Sequence, residues 1–180
     1  MKKMALQRGF TLIELIVTMV VAGVLLAVAI PSFTEMIKNN RLATSANSFV
    51  TAANIARSEA IKRGVRVTVC KSADGAACTT SDDWDQGWIV FADLDNNATV
   101  DAGDTLIRVY EGLPGTVTMK GGGNVADYLS FVGTGQSQLT DGSTQSGTIS
   151  LCDDRSGDFG KDLDVSATGR ISLTTKVTCP

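Results

Sequence analysis

An α+β fold, with one long N-terminal helix packed on antiparallel β-sheet, is what this 180-residue chain predicts. Three observations carry the prediction. A run of roughly twenty nearly all apolar residues, Phe10 to Ile30, has the length of a membrane-crossing helix. An alanine-rich stripe at helical spacing follows it. From Val65 onward the hydrophobic period falls to two, in short segments separated by Gly, Asp, Asn and Ser. One helical half followed by many short strands is the pattern of an α+β domain.

The opening segment divides at Gly9. Residues 1–9 carry three cations, Lys2, Lys3 and Arg8, and residues 10–32 form the apolar helix, whose run from Phe10 to Ile30 is interrupted by the polar side chains of Thr11, Glu14 and Thr18 alone. Cations at the start hold that end in the cytoplasm and direct the rest outward. A carboxylate in the middle of a bilayer costs about 2.5–3.5 kcal/mol, so Glu14 needs a compensating partner. An ordinary secretory signal, with Ala27-Val28-Ala29 as its cleavage site, has a shorter apolar core and no glutamate. A plain membrane anchor fits the length but gives Glu14 no purpose.

Pro31 is expected to kink the helix rather than end it. Residues 33–64 then form an amphipathic continuation. Leu42, Ala46, Phe49, Ala53, Ala56 and Ala60 recur at steps of four and three, with Lys38, Arg41, Asn54, Arg57 and Lys62 opposite, and Gly64 is the stop signal. The alanines let a sheet approach closely. Residues 65–180 are the β-rich part. Val65, Val67 and Val69 alternate with Arg66, Thr68 and Cys70 as in a half-buried strand. Further strands are expected at 88–92, 105–110, 116–119, 128–132, 148–152, 163–166 and 170–174.

Composition excludes several classes of function. The chain has 16 basic and 19 acidic groups; without Lys2, Lys3 and Arg8 the balance is 13 to 19, a net −6. Such a domain is poorly suited to coating nucleic acid, which needs clustered cations. There is no histidine, so serine-histidine triads, cysteine-histidine pairs and imidazole zinc sites are absent. No nucleophile–base pair is recognisable, and no catalytic residue or enzymatic activity is expected. The four cysteines, Cys70, Cys78, Cys152 and Cys179, point to disulfides in an exported domain and admit three connectivities. Cys70–Cys78 with Cys152–Cys179 is favoured: the first closes a short loop after a strand, the second staples the last strand onto the sheet. A zinc site of four thiolates lacks a Cys-x-x-Cys knuckle.

The segment Arg8-Gly9-Phe10-Thr11-Leu12-Ile13-Glu14 resembles the class III signal of type IV prepilins and type II secretion pseudopilins. The resemblance implies cleavage by a prepilin peptidase between Gly9 and Phe10 and N-methylation of Phe10. It makes Glu14 the fifth mature residue, whose carboxylate meets the Phe10 amine of a neighbouring pilin and sets assembly register. Trp84-Asp85-Gln86-Gly87-Trp88-Ile89-Val90-Phe91-Ala92-Asp93, Asp101-Ala102-Gly103-Asp104, Ala56-Arg57-Ser58-Glu59-Ala60 and Ser166-Ala167-Thr168-Gly169-Arg170 resemble the FimT/FimU minor pilins and GspH-type pseudopilins. Across essentially the whole chain this implies a pilin-like fold and a low-abundance subunit that initiates or caps a type IV pilus or a type II secretion pseudopilus. It also implies a single-pass inner-membrane protein with a periplasmic globular domain.

Two segments suggest sharper sites. Asp93, Asp95, Asn97, Asp101 and Asp104 follow calcium-loop spacing, but Ala98 replaces the required glycine and Asp104 the bidentate glutamate. An acidic hairpin loop is the alternative, and no other cofactor is expected. DNA binding is the functional rival, since FimT-type subunits capture DNA through Gly-Arg-x-Arg. Here Gly169-Arg170-Ile171-Ser172 lacks the second arginine, leaving Arg170 with Lys176 as candidate phosphate contacts. Gly121-Gly122-Gly123-Asn124 reads as a flexible loop, and Arg155 and Lys161, among five aspartates, as solvated ion pairs.

Overall fold

The computed structural model describes residues 9–81 and 83–180, so Lys2, Lys3 and Arg8 of the expected leader lie outside the described residues. Helix α1, Leu12–Arg63, runs through Pro31 without interruption. Pro31 has no N–H to offer the preceding turn, while its own carbonyl accepts the Thr34 hydroxyl at 2.7 Å. The helix stops where Gly64, at φ +68°, turns left-handed and donates its N–H to the Ala60 carbonyl.

The chain divides into two compact units, the first ending at Lys38 and the second spanning Asn39–Pro180. In the first, every large apolar side chain from Phe10 to Ile37 is exposed. In the second, the expected stripe of α1 is buried, including Leu42, Phe49 and the alanines 46, 53, 56 and 60. Phe49 is the large wedge in this face. Its ring meets Trp84 edge-on at 5.1 Å and Trp88 at 5.6 Å, and Trp88 stacks on Tyr110 at 5.4 Å.

Among the described residues, eight strands form two antiparallel four-stranded sheets. Strands β1 (Arg66–Lys71), β2 (Gly87–Asp93), β3 (Thr105–Glu111) and β5 (Tyr128–Phe131) lie in the order β3-β2-β1-β5. Strands β4 (Thr118–Gly121), β6 (Gly147–Cys152), β7 (Gly157–Val165) and β8 (Ile171–Cys179) lie in the order β4-β6-β7-β8. Short 3₁₀ turns occur at Trp84–Gln86 and Gly123–Val125.

Strand β1 corrects the half-buried expectation. Every residue from Arg66 to Lys71 is buried. Val67 and Val69 belong to the main core with α1, whereas Cys70, with Ile89 and Phe91 of β2, packs into a second cluster with Cys78, Val100 and Tyr128. Loops thus cover the face that alternation alone assigns to solvent.

Strands β7 and β8 run well beyond the expected segments. Gly160 explains part of this, since a Cβ there would lie 2.7 Å from Cys179 Sγ and 2.9 Å from the Val177 carbonyl oxygen. The glycine lets the last strand and its disulfide close onto β7. Gly121 is likewise no part of a flexible loop: it ends β4, and a Cβ there would strike the Val125 carbonyl oxygen and Trp84 Nε1. Trp84 Nε1 donates to that same carbonyl at 3.1 Å, so the glycine makes room for a buried tryptophan hydrogen bond.

Candidate functional site

The apolar run of α1 up to Ile30 offers one ionisable group, Glu14. Its backbone N–H is capped by Thr11 Oγ1 at 3.3 Å. Its carboxylate is exposed and has no hydrogen-bond or ion-pair partner among the described residues. Gly9 and Phe10, the residues of the expected cleavage junction, are both exposed just ahead of the helix. By length and composition α1 is able to cross a membrane.

The cysteines form two bridges, Cys70–Cys78 and Cys152–Cys179, with Cα separations of 5.6 and 5.8 Å. Among the described residues no cysteine is free, which leaves no thiolate for zinc. Cys70–Cys78 ties the loop after β1 into the second cluster; Cys152–Cys179 joins the ends of β6 and β8, which are not neighbours in their sheet.

The acidic loop between β2 and β3 brings carboxylate oxygens of Asp93, Asp95 and Asp104 within 4.8 Å of one another. Those oxygens already accept hydrogen bonds from the loop and from β1. Asp93 accepts from the N–H groups of Asn97 at 3.1 Å and Ala98 at 3.0 Å and from the Thr68 hydroxyl at 3.0 Å. Asp104 accepts from the Leu94 N–H at 3.0 Å. Asn97 presents its amide N–H groups to Asp95 and Asp101, each at 2.7 Å, and turns its oxygen to Thr99. Ala98 takes the left-handed backbone, φ +60°, that a calcium loop reserves for glycine. Burial raises the Asp93 pKa above its ordinary value against the pull of these donors and of Arg66. The geometry is that of a self-capped hairpin loop.

Arg170 and Lys176 are both exposed, Arg170 in the tight turn closed by Ser166 and Lys176 at a left-handed kink, φ +64°, in β8. The register of β7 with β8 sets Asp164 opposite Ser172 and Asp162 opposite Thr174. Carboxylates therefore flank the strand that follows Arg170, and they oppose a phosphate backbone.

Arg155 is a correction. Far from being solvated, it is buried with Asp153, their side chains only 8% and 2% exposed and 2.7 Å apart. Burial works to raise the Asp153 pKa, but the hydrogen bonds and charge of Arg155 outweigh it and hold the carboxyl below its ordinary value. Sequence reading also missed Arg66. Its guanidinium is buried and donates to Asn96, Ser130, Gln138 and Leu139, which fixes the 138–139 segment over β5. Alternation alone marked it as solvent-facing.

A helix that is apolar and exposed in its first half, and buried against antiparallel sheets in its second, defines a pilin-like fold. Residues 45–169 match the family described as type II transport protein GspH, and residues 4–30 match the prokaryotic N-terminal methylation motif. The chain belongs to this minor pilin and pseudopilin family. It is 31% identical over 146 residues to a fimbrial protein of Dichelobacter nodosus, covering 76% of this chain and 81% of that one. The type IV minor pilin FimU of Pseudomonas aeruginosa is similar in structure, with a TM-score of 0.60 and 25% identity over 82% of this chain and 96% of FimU. The minor pseudopilin EpsH of Vibrio cholerae shares the fold alone, with a TM-score of 0.51 and 14% identity over 75% of this chain and 97% of EpsH.

Proposed function

We propose that this subunit is processed between Gly9 and Phe10, is N-methylated at Phe10, and enters a filament through the first half of α1, where it serves to initiate or cap assembly. The observation that carries the reading is the Glu14 carboxylate, without a partner among the described residues, on a helix whose large apolar side chains are all exposed from Phe10 to Ile37. Such a surface is stable in a bilayer or in a bundle of like helices, not in water. Inside the bundle, Glu14 pairs with the free amine of Phe10 on a neighbouring subunit. Removing one member of a buried pair leaves an uncompensated charge, so the contact selects register more than it adds stability.

Resemblance to FimU and to a fimbrial protein, at higher identity than to EpsH, favours the type IV pilus as that filament. The globular domain then faces the periplasm before assembly. Mass spectrometry of the membrane-extracted protein tests the processing: the expected N-terminus is methylated Phe10. Glu14→Ala is expected to insert normally, because loss of the charge lowers the insertion cost, and to be depleted from purified filaments. Normal incorporation of the mutant overturns the role of Glu14.

A further inference from the structure

Strand β3 is an edge of its sheet. It pairs with β2 on one side, and no described residue pairs with the other. The strand is seven residues long, contains no proline, and leaves Leu106 43% and Val109 45% exposed. Edges of this kind are normally blunted, because alternate residues hold free N–H and C=O groups outside the ladder. Here the bulge at Ile107, between the Val90–Arg108 and Phe91–Leu106 pairs, lies in the first half of the strand and leaves Arg108 to Glu111 in regular register with β2.

Two clefts flank that regular half, one on each face. The helix-side cleft, about 230 Å³, lies between Ser45 and Ser48 of α1 and the segment Tyr110 to Pro114. Its exposed wall is mostly apolar. Ser45 and Trp88 line it, and the buried Oγ and Nε1 atoms of these two side chains have no hydrogen-bond partner among the described residues. Buried polar atoms without a partner are rare, and two of the four among the described residues line this one cleft. The outer cleft, about 260 Å³, is lined by Ser72, Asp74, Gly75, Val109 and Glu111. Asp74 is held ionised there: N–H groups of Ala77 and Ala76 and the Ser72 hydroxyl hold its pKa below the ordinary value.

We infer that β3 accepts an added strand, an extended segment of a neighbouring filament subunit whose side chains alternate between apolar and basic. Successive side chains of a strand point to opposite faces. An added strand therefore sends an apolar side chain into the helix-side cleft and a lysine or arginine into the outer one, against Asp74 and Glu111. Main-chain hydrogen bonds supply affinity in this mode, and alternate pockets supply selectivity. The inference rests on the filament reading above for the identity of its partner.

The test uses the full-length protein in its native membrane. Arg108, exposed on the edge, is replaced by a photoreactive phenylalanine, and cross-linked peptides are mapped by mass spectrometry. Val109→Lys and Glu111→Lys are compared with Leu173→Lys on the edge of the other sheet, and the melting midpoint of each variant checks folding. Cross-links are expected to map to an extended, lysine- or arginine-bearing segment of another pilin. The two β3 variants are expected to fall at least tenfold in filament incorporation, with Leu173→Lys unchanged. Cross-links confined to helices or to a second copy of this chain, or normal incorporation of both folded variants, overturn the inference. If wild type is absent from filaments but Arg108 still cross-links to such a strand, the filament reading fails and the strand-accepting edge stands.

Discussion

Arg155 donates through Nη2 to Asn39 Oδ1 at 3.0 Å, joining residues 116 apart in the chain. The same nitrogen lies 2.7 Å from Asp153 Oδ2. The guanidinium also sits 4.2 Å over the Phe159 ring. One buried cation thus ties the point where α1 enters the globular unit to the turn between β6 and β7.

Arg155→Ala is expected to cost about 3 kcal/mol at neutral pH, since it strands a buried carboxylate. The sign of its pH dependence follows from Asp153. A carboxyl whose folded pKa is depressed contributes stability above its unfolded pKa, about 3.9, and loses it as pH falls through the lower folded value. Urea denaturation at pH 7 and pH 3 is therefore expected to show a smaller gap between wild type and variant in acid. An equal gap at both pH values would place the cost in the Asn39 and Phe159 contacts instead.

The two disulfides are expected to contribute unequally. Cys152–Cys179 spans 27 residues and Cys70–Cys78 spans 8. Chain entropy then makes the longer bridge worth about 1 kcal/mol more, within a usual range of about 2–4 kcal/mol. Denaturation of the two paired Cys→Ser variants checks the order. A larger loss at Cys70–Cys78 would show that packing around the buried Cys70 outweighs loop closure.

Calcium at roughly 5 mM is expected to leave the melting midpoint within about 1 °C, because the loop's own N–H groups already occupy Asp93 and Asp104; metal gives stability only through binding the folded state. Asp93→Ala, by contrast, leaves the Thr68 and Ala98 donors unmatched, with the Asn97 N–H keeping only Asp95, and is expected to cost about 2–3 kcal/mol without any metal. A calcium-dependent rise of several degrees in wild type, absent from Asp93→Ala, would establish a cation site.

For DNA, the globular unit from Asn39 onward is expected to bind duplex no more tightly than other acidic proteins. Ser172→Arg adds about one phosphate contact, but Asp164 lies opposite that position and competes for the new charge. Only Ser172→Arg combined with Asp164→Asn is expected to raise affinity clearly, with a steeper salt dependence. Submicromolar binding by wild type, abolished by Arg170→Ala, would make DNA capture the better reading.

Much of the fold was legible because it rests on local pattern. The apolar run, the α1 stripe through Phe49 and the alanines, Gly64 as helix stop and the period of two each reflect one element's own geometry. The cysteine pairing was legible as one favoured connectivity of three, since Cys70 and Cys78 close a short loop after a strand and Cys179 stands at the end of the last strand. The Gly87 of the Trp-x-x-Gly-Trp segment was visible as a motif, but its reason was not: at φ +117° a Cβ would sit 2.7 Å from the Tyr110 carbonyl oxygen.

By itself, then, the sequence determined the membrane-competent helix, the N-terminal methylation motif, the α+β class and the family, all of which depend on residues near one another in the chain. Tertiary structure alone decided that β1 is covered on both faces, that Arg66 and Arg155 are buried, and that β3 is an open edge between two clefts. Each of these depends on what a distant segment does: a loop folding over Cys70, Asn39 arriving beside Arg155, or β3 left without a second partner among the described residues. Burial and edge status are properties of the assembled sheets, and no local period encodes which neighbour will come to lie alongside.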